Sequence, residues 1–498
     1  MNRGTLGSNI LASAINVLVV VGTSLVAVPL LIDRLGIDGY GLWTLAQTVI
    51  IYVTTAELGV GPALARFTSV HRDHPERPRQ VMVAALILYT LAGLAVVAAC
   101  HLLARPLVDL FPVPARLRDD SIATVGIVGW VSLVALLAGA LGHMLAGLER
   151  FGAFTWTNVV GAATFLVALI LLTRDGGRIQ DAAYATLAQW GVVALVRLVV
   201  IRDIALGRGT RLPGRALLRE LLGFSARLQL GVLASLVNTQ TDRVVIGAVA
   251  IPATLGRASI ATQVADAGRM LAYAAFNPMA SRMAVTYGAN GQPALDALLA
   301  RQRRLWTTAL LGGIAVAIGA VRPAIEGWLG TGYDQAALFA AFLIAGYGIG
   351  LIPGPLFAYL RAKGNPTLEG LFGLVTVAVN LCATIVLALL FGAPGVVAGT
   401  LAAYTASTIW VLRRSRSVVP PAEHEPARLA RLLPALVVAT AAAYGVGEGL
   451  LAIAPRAVAL AALCAAAPAI YVAYLAATTG IDPIDVIRRR ATAQAARD

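Results

Sequence analysis

The sequence predicts an all-α integral membrane protein with about fourteen transmembrane helices. Of its 498 residues, 58% are hydrophobic and only 13% are charged, whereas a soluble domain is roughly half apolar and a quarter charged. The apolar excess is spread along the whole chain in runs of about 20 residues, the length that spans a bilayer as a helix. Lipid admits only helices and closed barrels, and these runs lack the alternating pattern of barrel strands.

The apolar runs define fourteen predicted spans, numbered in chain order. The first run is long, lacks a small-residue cleavage site and is followed by many others, so we predict a membrane helix there rather than a signal peptide. The predicted bounds are 10–32, 40–65, 83–104, 122–147, 152–173, 182–202, 220–248, 253–280, 305–329, 335–360, 367–391, 395–412, 432–452 and 457–477.

The basic residues predict the topology. If the N-terminus is cytoplasmic and the chain crosses fourteen times, 26 of the 39 basic residues fall in inner segments, nine in outer segments and four inside spans. Such a bias is typical of cytoplasmic loops, so both termini are predicted to be cytoplasmic. The net charge of +14 is thereby explained by membrane topology, and we predict no binding of nucleic acid.

A weak internal repeat relates two parts of the chain. Residues 41–47, which open span 2, resemble residues 256–262, which open span 8, at an offset of 215. Residues 146–152 resemble residues 358–364 at an offset of 212. The near-equal offsets predict two parallel six-helix repeats plus two C-terminal helices, the arrangement of some transporters that bind substrate between their halves.

The predicted domain boundaries follow from this repeat. They are an N-terminal six-helix lobe over 1–202, a basic cytoplasmic linker over 203–219, a C-terminal six-helix lobe over 220–412, a cytoplasmic loop over 413–431, two extra helices over 432–477 and a basic cytoplasmic tail over 478–498.

Several classes of enzyme and metal site are excluded by the motifs. Lys363, the only lysine, does not lie in a phosphate-binding loop of the GxxxxGK[ST] type. The five histidines form no HExxH motif and the three cysteines form no CxxC motif, so no metal, cofactor or disulfide is predicted. Extramembrane segments hardly exceed 20 residues, which leaves no room for a soluble catalytic domain. We therefore predict that the chain is not an enzyme and has no catalytic residues.

Polar residues inside four apolar runs predict a substrate-binding site. They recur at steps of 3, 4 or 7 residues, which places each set on one helical face. A charge in mid-bilayer costs about 2.5–3.5 kcal/mol on the lenient insertion scale, and the four sets lie on spans that are equivalent in the repeat. We therefore predict one water-filled cavity between the halves. Its predicted lining includes Asn16, Gln47, Asn238, Tyr273 and Asn277.

The charged residues of these runs have two predicted roles. Arg227, Arg243 and Arg269 suit an anionic, phosphate-bearing substrate, because guanidinium stays charged when buried and binds phosphate in a bidentate manner. A carboxylate in the cavity can carry a proton or Na⁺ instead, and the coupling candidates are Glu57, Asp242 and Asp266. The structural alternatives are an i,i+3 ion pair between Asp266 and Arg269 and interhelical hydrogen bonds by the smaller polar residues.

Two motifs resemble a known family. Asp38-Gly39-Tyr40-Gly41-Leu42-Trp43 followed by Ala56-Glu57-Leu58-Gly59, and later Asn238-Thr239-Gln240-Thr241-Asp242-Arg243, are similar to segments of the polysaccharide-export flippases. These belong to the multidrug/oligosaccharidyl-lipid/polysaccharide exporter superfamily. The chain departs from the family pattern at Glu57, where Asp is usual, and at Gly256-Arg257-Ala258, where Gly-x-Tyr is frequent.

The resemblance implies a flippase in a bacterial plasma (inner) membrane. Its substrate would be an undecaprenyl-pyrophosphate-linked oligosaccharide, with the arginines on the pyrophosphate and the polar residues along the path of the sugar. Implied partners are membrane lipids, protons or Na⁺, and a polysaccharide polymerase or export machinery. Two alternatives stay open: a cation-coupled multidrug exporter of the same superfamily, and a membrane glycan polymerase or ligase, although enzymes of the latter kind usually carry a large outer loop.

Overall fold

The computed structural model describes most of the chain as helices. The described residues are 3–55, 57, 60–70, 76–174, 176–202, 214, 217, 219, 221, 223, 225, 240–417, 419 and 425–479. All regular secondary structure in these ranges is α-helical, as the sequence predicts. In chain order the helices are α1 (Arg3–Thr55), α2 (Val60–Val70), α3 (Glu76–Asp109), α4 (Ala115–Gly147), α5 (Phe151–Leu172), α6 (Ile179–Val200), α7 (240–249), α8 (Pro252–Leu329), α9 (Asp334–Leu351), α10 (Gly354–Ala362), α11 (Thr367–Phe391), α12 (Ala393–Ser415), α13 (Glu425–Ile453) and α14 (Arg456–Thr479).

Two helices are long enough to cross a bilayer twice. The 78 residues of α8 would extend well over 100 Å if straight, against about 30 Å of hydrocarbon. Each helix contains one glycine at positive φ, Gly36 in α1 and Gly291 in α8. Glycine adopts this conformation without the steric cost that other residues incur. The two glycines lie between predicted spans 1 and 2 and between predicted spans 8 and 9.

The membrane character of the chain is confirmed. Within the described residues, eleven stretches are long and apolar enough to cross a membrane, and large apolar side chains such as Leu102, Leu389 and Ile453 are exposed, as lipid contact requires. Two of the eleven stretches contain two predicted spans each, and predicted span 7 lies mostly outside the described residues. The number fourteen and the cytoplasmic placement of the termini stay predictions.

Two predicted spans are interrupted. Predicted span 2 covers 40–65, and within it α1 ends at Thr55 and α2 begins at Val60. Span 10 was expected over 335–360, but α9 ends at Leu351 and α10 begins at Gly354. Both interruptions fall where glycine and proline cluster in the sequence, and both residue types disfavour helix interiors.

The chain divides into two compact units, Met1–Gly256 and Arg257–Asp498. In the first, α4 packs against α1, α2, α3 and α6. A close approach between α2 and α4 occurs at Gly147, where a Cβ atom would lie 2.6 Å from the carbonyl oxygen of Ala65. The predicted linker 203–219 lies almost wholly outside the described residues, so the predicted lobe boundaries stay predictions.

In the second unit, α13 and α14 pack against the C-terminal part of α8 through small residues. A Cβ atom on Gly319 would lie 2.2 Å from the carbonyl oxygen of Thr440, and one on Gly312 would lie 2.1 Å from Cε1 of Tyr474. The Thr440 hydroxyl donates to the carbonyl oxygen of Ala315 at 3.1 Å. Such close packing of small residues is how membrane helices associate without a hydrophobic driving force between them.

Candidate functional site

Glu57 is a largely buried carboxylate between two helices. It lies in the interval between the end of α1 and the start of α2, and its carbonyl oxygen accepts a hydrogen bond from the backbone N–H of Val60 at 3.1 Å. Its side chain is 13% exposed, and Oε1 lies 3.0 Å from Nε2 of His143 in α4. The Tyr89 hydroxyl of α3 donates to Oε2 at 2.8 Å. We call Glu57, His143 and Tyr89 the Glu57 cluster.

Gly61 makes room for the Glu57 cluster. A Cβ atom at this position would lie 2.1 Å from Oε1 of Glu57 and 2.3 Å from Nε2 of His143. Gly61 lies in the first turn of α2, where the backbone N–H groups have no partner within the helix. An acidic side chain at this end is favoured by the helix dipole.

Two cavities adjoin this part of the first unit. One, of about 320 Å³, is lined by Glu57, Tyr89, Tyr52, Ala92 and Leu136, among others. The second, of about 230 Å³, shares Tyr52 with the first and has an apolar lining. Its hydroxyl groups on Thr48, Ser121 and Thr124 bond back to carbonyl oxygens of their own helices. Both cavities have mainly apolar linings, and the first differs in that it includes the Glu57 carboxylate.

The predicted residues on α7 also belong to the first unit. Asp242 and Arg243 are half-buried. Arg243 donates from Nη1 to Oε1 of Gln240 at 3.4 Å and interacts electrostatically with Tyr40. The neighbouring Thr241 hydrogen-bonds with Tyr52, which connects α7 to the wall of both cavities. The predicted site residue Gln47 is half-buried on α1.

Arg197 is a buried cation that the sequence analysis assigned to a span but not to the site. It is 2% exposed and donates from Nη1 to the carbonyl oxygen of Ala138 at 2.7 Å, from Nη2 to Oδ1 of Asn158 at 2.7 Å, and from Nε to Oγ1 of Thr157 at 3.1 Å. Its guanidinium lies over the Phe154 ring, 4.9 Å from the centroid. Because α4, α5 and α6 all contribute to these contacts, Arg197 joins three helices and acts structurally.

The second unit contains the other predicted arginine, Arg269 in α8. Its Nη2 atom lies 2.8 Å from Oδ1 of Asp266, and the two side chains are 26% and 34% exposed. The i,i+3 ion pair considered from the sequence is therefore present. The Arg269 guanidinium also lies 4.8 Å from the centroid of the Tyr347 ring in α9, a cation–π distance.

Aromatic residues complete this group. Tyr347 meets Tyr404 of α12 edge to face, with ring centroids 5.7 Å apart. Gly350 lets the Tyr404 ring approach α9, because a Cβ atom there would lie 2.3 Å from Cδ1 of Tyr404. We call Asp266, Arg269, Tyr347 and Tyr404 the Arg269 cluster. Sequence reasoning missed both tyrosines because they lie in apolar runs, where an aromatic residue has no distinguishing spacing.

The remaining predicted site residues divide into three groups. Tyr273, on α8, is 47% exposed and meets the Phe276 ring edge-on. Asn16 and Asn277 lie within α1 and α8, and their side chains are outside the described part of the structure. Arg227 and Asn238 lie outside the described residues altogether. A single cavity shared by all these residues stays a prediction.

Arg257, where the sequence departs from the family pattern, takes part in contacts at the start of the second unit. It donates from Nη1 to Oε1 of Gln335 at 3.3 Å. Burial raises the pKa of Tyr333, in the connection between α8 and α9, and the positive charge of Arg257 opposes that rise. Arg257 therefore makes a contact between α8 and α9 and is not one of the residues of the Arg269 cluster.

Comparison with protein families gives the assignment. The family described as polysaccharide biosynthesis protein matches residues 6–284, which is more than half of the chain and includes nearly all of α1, the Glu57 cluster and Arg269. The chain belongs to the polysaccharide biosynthesis protein family. Among curated proteins, none matches the sequence. The family match confirms the resemblance to polysaccharide-export proteins that the sequence motifs predict.

Several solved structures share the fold of this chain. The lipid II flippase MurJ in an inward closed conformation has a TM-score of 0.67 at 13% identity, covering 94% of this chain and 98% of that chain. An inward-facing multidrug resistance MATE family transporter of the MOP superfamily has a TM-score of 0.63 at 15% identity, covering 82% and 98%. A MATE structure in complex with MaL6 has a TM-score of 0.55 at 17% identity, covering 84% and 99%. The chain is a multi-pass membrane protein with this all-helical transporter fold.

Proposed function

We propose that this chain is a flippase for an undecaprenyl-pyrophosphate-linked oligosaccharide. It would move the lipid-linked sugar from the inner to the outer leaflet of a bacterial plasma membrane, for capsule, exopolysaccharide or O-antigen assembly. A polysaccharide polymerase or export machinery would take the product. Family membership over residues 6–284 supports a role in polysaccharide synthesis, and the transporter fold supports movement rather than catalysis.

The position of Arg269 is the observation that supports a phosphate-bearing substrate. It is an arginine inside an apolar helix, and its ion pair with Asp266 uses one nitrogen, Nη2, of a guanidinium that offers five N–H donors. A pyrophosphate provides the acceptor geometry that this fork matches. The rings of Tyr347 and Tyr404 lie in the same cluster and offer flat apolar faces to a sugar. We propose that Arg227 and Arg243 add positive charge on span 7.

The proposed mechanism is alternating access, in which the two repeats rock about a site between them. Asn16, Gln47, Asn238, Tyr273 and Asn277 would line the path of the sugar, whereas Glu57, Asp242 and Asp266 would bind the coupling ion, either a proton or Na⁺.

The decisive experiment follows lipid-linked sugars in a strain that lacks the gene. Labelled precursor is extracted, and its leaflet is tested by protection from an external glycosidase. Complete oligosaccharide trapped on the inner leaflet would establish the flippase. Normal arrival of complete units at the outer leaflet would reject the flippase. Unpolymerised units there would indicate the polymerase or ligase, and an unchanged glycan would indicate the multidrug exporter. The multidrug exporter is the second candidate, because the largely buried Glu57 carboxylate suits a cationic substrate.

Complementation of the same strain tests the arginines. Arg243→Ala and Arg269→Ala are expected to lower glycan export at normal protein levels. Arg118→Ala is the matched control, because Arg118 is an exposed arginine that pairs with Asp109. Normal export with both cavity variants would reject the phosphate-binding role of these arginines.

A further inference from the structure

The Glu57 cluster combines three titratable side chains at one point inside the first unit. Glu57 lies between α1 and α2, Tyr89 comes from α3 and His143 from α4, and both partners are within hydrogen-bond distance of separate carboxylate oxygens. The carboxylate is 13% exposed, whereas His143 is 34% exposed. A carboxylate in a membrane protein interior is costly to keep, and three converging elements maintain this one.

The local chain is shaped around the contact. Gly61 is the residue that permits it, because any side chain there would overlap both Oε1 of Glu57 and Nε2 of His143. The adjoining cavity of about 320 Å³ is lined by Glu57, Tyr89 and Tyr52 among apolar side chains, so water next to the carboxylate would have both the volume and the polar partners that it needs. The cluster therefore has a cavity from which a proton can arrive, and it is enclosed on its other side by α2.

Protonation of the carboxylate changes what the cluster can bond. An ionised carboxylate only accepts hydrogen bonds, so it can accept from the Tyr89 O–H and from a His143 N–H together. When a proton from cavity water binds to one oxygen, that oxygen becomes a donor. If this is Oε1, its O–H then faces the N–H of His143, and two donors cannot bond to each other. The contact persists only if His143 turns an unprotonated ring nitrogen toward Glu57; otherwise it opens. Binding of one proton thus forces a rearrangement of the pairs around Glu57, with no other reactant needed.

The chemistry of the donor set favours a proton over a metal cation. Hard cations are bound by shells of about six or more oxygen ligands, whereas Glu57 meets an imidazole and a phenol. Across the described residues, no group of three or more His, Cys, Asp and Glu is placed to hold a metal ion. Among the residues that the structure describes, Tyr52 lines the same cavity, and Arg197 of α6 is a further charged group on the α4 side. The Arg197 guanidinium lies against α4 at Ala138 and Gly142.

We propose that Glu57, His143 and Tyr89 form a proton-binding site of the first unit, and that proton binding there drives transport. The binding step stands on the cluster alone, whereas its use as the driving force rests on the proposed function. Glu57 is the group that takes the proton. His143 and Tyr89 position it and respond to its change from acceptor to donor, and Gly61 keeps the three groups in contact.

A first experiment measures proton binding without any substrate. The purified protein, reconstituted in lipid, is taken from about pH 8 to about pH 5, and an infrared difference spectrum is recorded. The expected result is a C=O stretching band of a protonated carboxyl group that Glu57→Gln removes. Asp296→Asn is the control, because Asp296 is a carboxylate of the second unit that accepts hydrogen bonds from Tyr359 and Gln292.

The partner residues supply variants that keep the carboxyl group. Tyr89→Phe and His143→Gln are expected to shift the frequency of the Glu57 band without removing it, because each changes one hydrogen bond to the carboxyl group. These two variants also keep the test decisive if Glu57→Gln does not fold. The proposal is overturned if wild-type protein shows no carboxyl band that depends on pH, or if the band is the same in all cluster variants.

A second experiment measures coupling in proteoliposomes that contain lipid-linked oligosaccharide. An imposed pH gradient is expected to accelerate flipping by the wild-type protein severalfold, whereas Glu57→Gln should flip downhill at a rate that no longer depends on the gradient. Replacing K⁺ by Na⁺ should have no effect. Acceleration by a Na⁺ gradient alone would overturn the driving role. Absence of any flipping together with a Glu57 infrared band would reject the flippase and leave the proton site standing.

Discussion

Glu57 and His143 meet across the start of α2, with Oε1 of the carboxylate 3.0 Å from Nε2 of the imidazole. Neither residue belongs to a sequence motif that contains the other. Their contact depends on α1 ending at Thr55, on α2 beginning at Val60 and on a glycine at position 61. The same three features place the carboxylate beside a cavity, so a local interruption of a membrane helix lets a carboxylate line that cavity.

Gly61→Ala is expected to separate Glu57 from His143. The new methyl group would occupy the position of the two side-chain ends, which can move aside more easily than backbone, so the fold should survive. Displacing an active group by about 1 Å can cost roughly 100-fold in rate. Glycan export by the complemented deletion strain, normalised to protein level, measures the loss. Gly152→Ala is the control, since nothing lies within 4 Å of its Cβ position; equal export by both variants would contradict the prediction.

Gly41→Ala is expected to destabilise the first unit. Its Cβ atom would lie 2.0 Å from the carbonyl oxygen of Pro252 and 2.9 Å from the backbone nitrogen of Gly256, and backbone atoms cannot move aside as a side chain can. Overpacking of this kind costs about 1–3 kcal/mol. Thermal unfolding of the purified protein in detergent measures it. Gly22→Ala, in the same helix with open space around it, should leave the midpoint unchanged or raise it, and a similar drop in both would refute the argument.

Arg197→Met is expected to lower stability by about 3 kcal/mol or more. The substitution keeps much of the side-chain volume but removes hydrogen bonds to Ala138, Asn158 and Thr157, and bonds to a charged group contribute about 1.5–3 kcal/mol each. Lysine should not restore the loss, because a point charge cannot reproduce the planar fork.

The yield of folded protein and its unfolding midpoint measure the Arg197 effect. Arg150→Met is the comparison, because Arg150 is exposed and one of its bonds is to the carbonyl oxygen of Val200 at 3.1 Å. Comparable stability of the two variants would show that the Arg197 contacts contribute little.

Gly319→Ala is expected to push α13 away from α8. A Cβ atom at this position would lie 2.2 Å from the carbonyl oxygen of Thr440, and the displaced helix would lose its packing at a cost of about 1–3 kcal/mol. Gly313→Ala is the control in the same helix, because its nearest neighbour is Cε2 of Tyr471 at 3.9 Å. Crosslinking efficiency between cysteines introduced in α8 and α13 reports the separation. Unchanged crosslinking in Gly319→Ala would show that the helices can accommodate the methyl group.

Much of the fold could be predicted from the sequence because the bilayer acts on local properties. A run of about 20 apolar residues must become a helix, so the membrane class and most helix positions follow from composition. The hydropathy pattern predicted spans 2 and 10 but not the helix break that the structure has within each of them. Glycine and proline mark both places, but hydropathy is insensitive to them because the surrounding residues stay apolar.

The sequence by itself determined that Glu57, Asp266 and Arg269 lie inside apolar runs, where a charged side chain is costly and therefore informative. It also placed Asp266 and Arg269 three residues apart, which allows their ion pair. Only the tertiary structure decided that His143 and Tyr89 hold Glu57 and that Tyr347 and Tyr404 accompany Arg269. Those contacts join helices far apart in the chain, and they form where Gly61 and Gly350 leave space, a steric condition that no spacing in the sequence records.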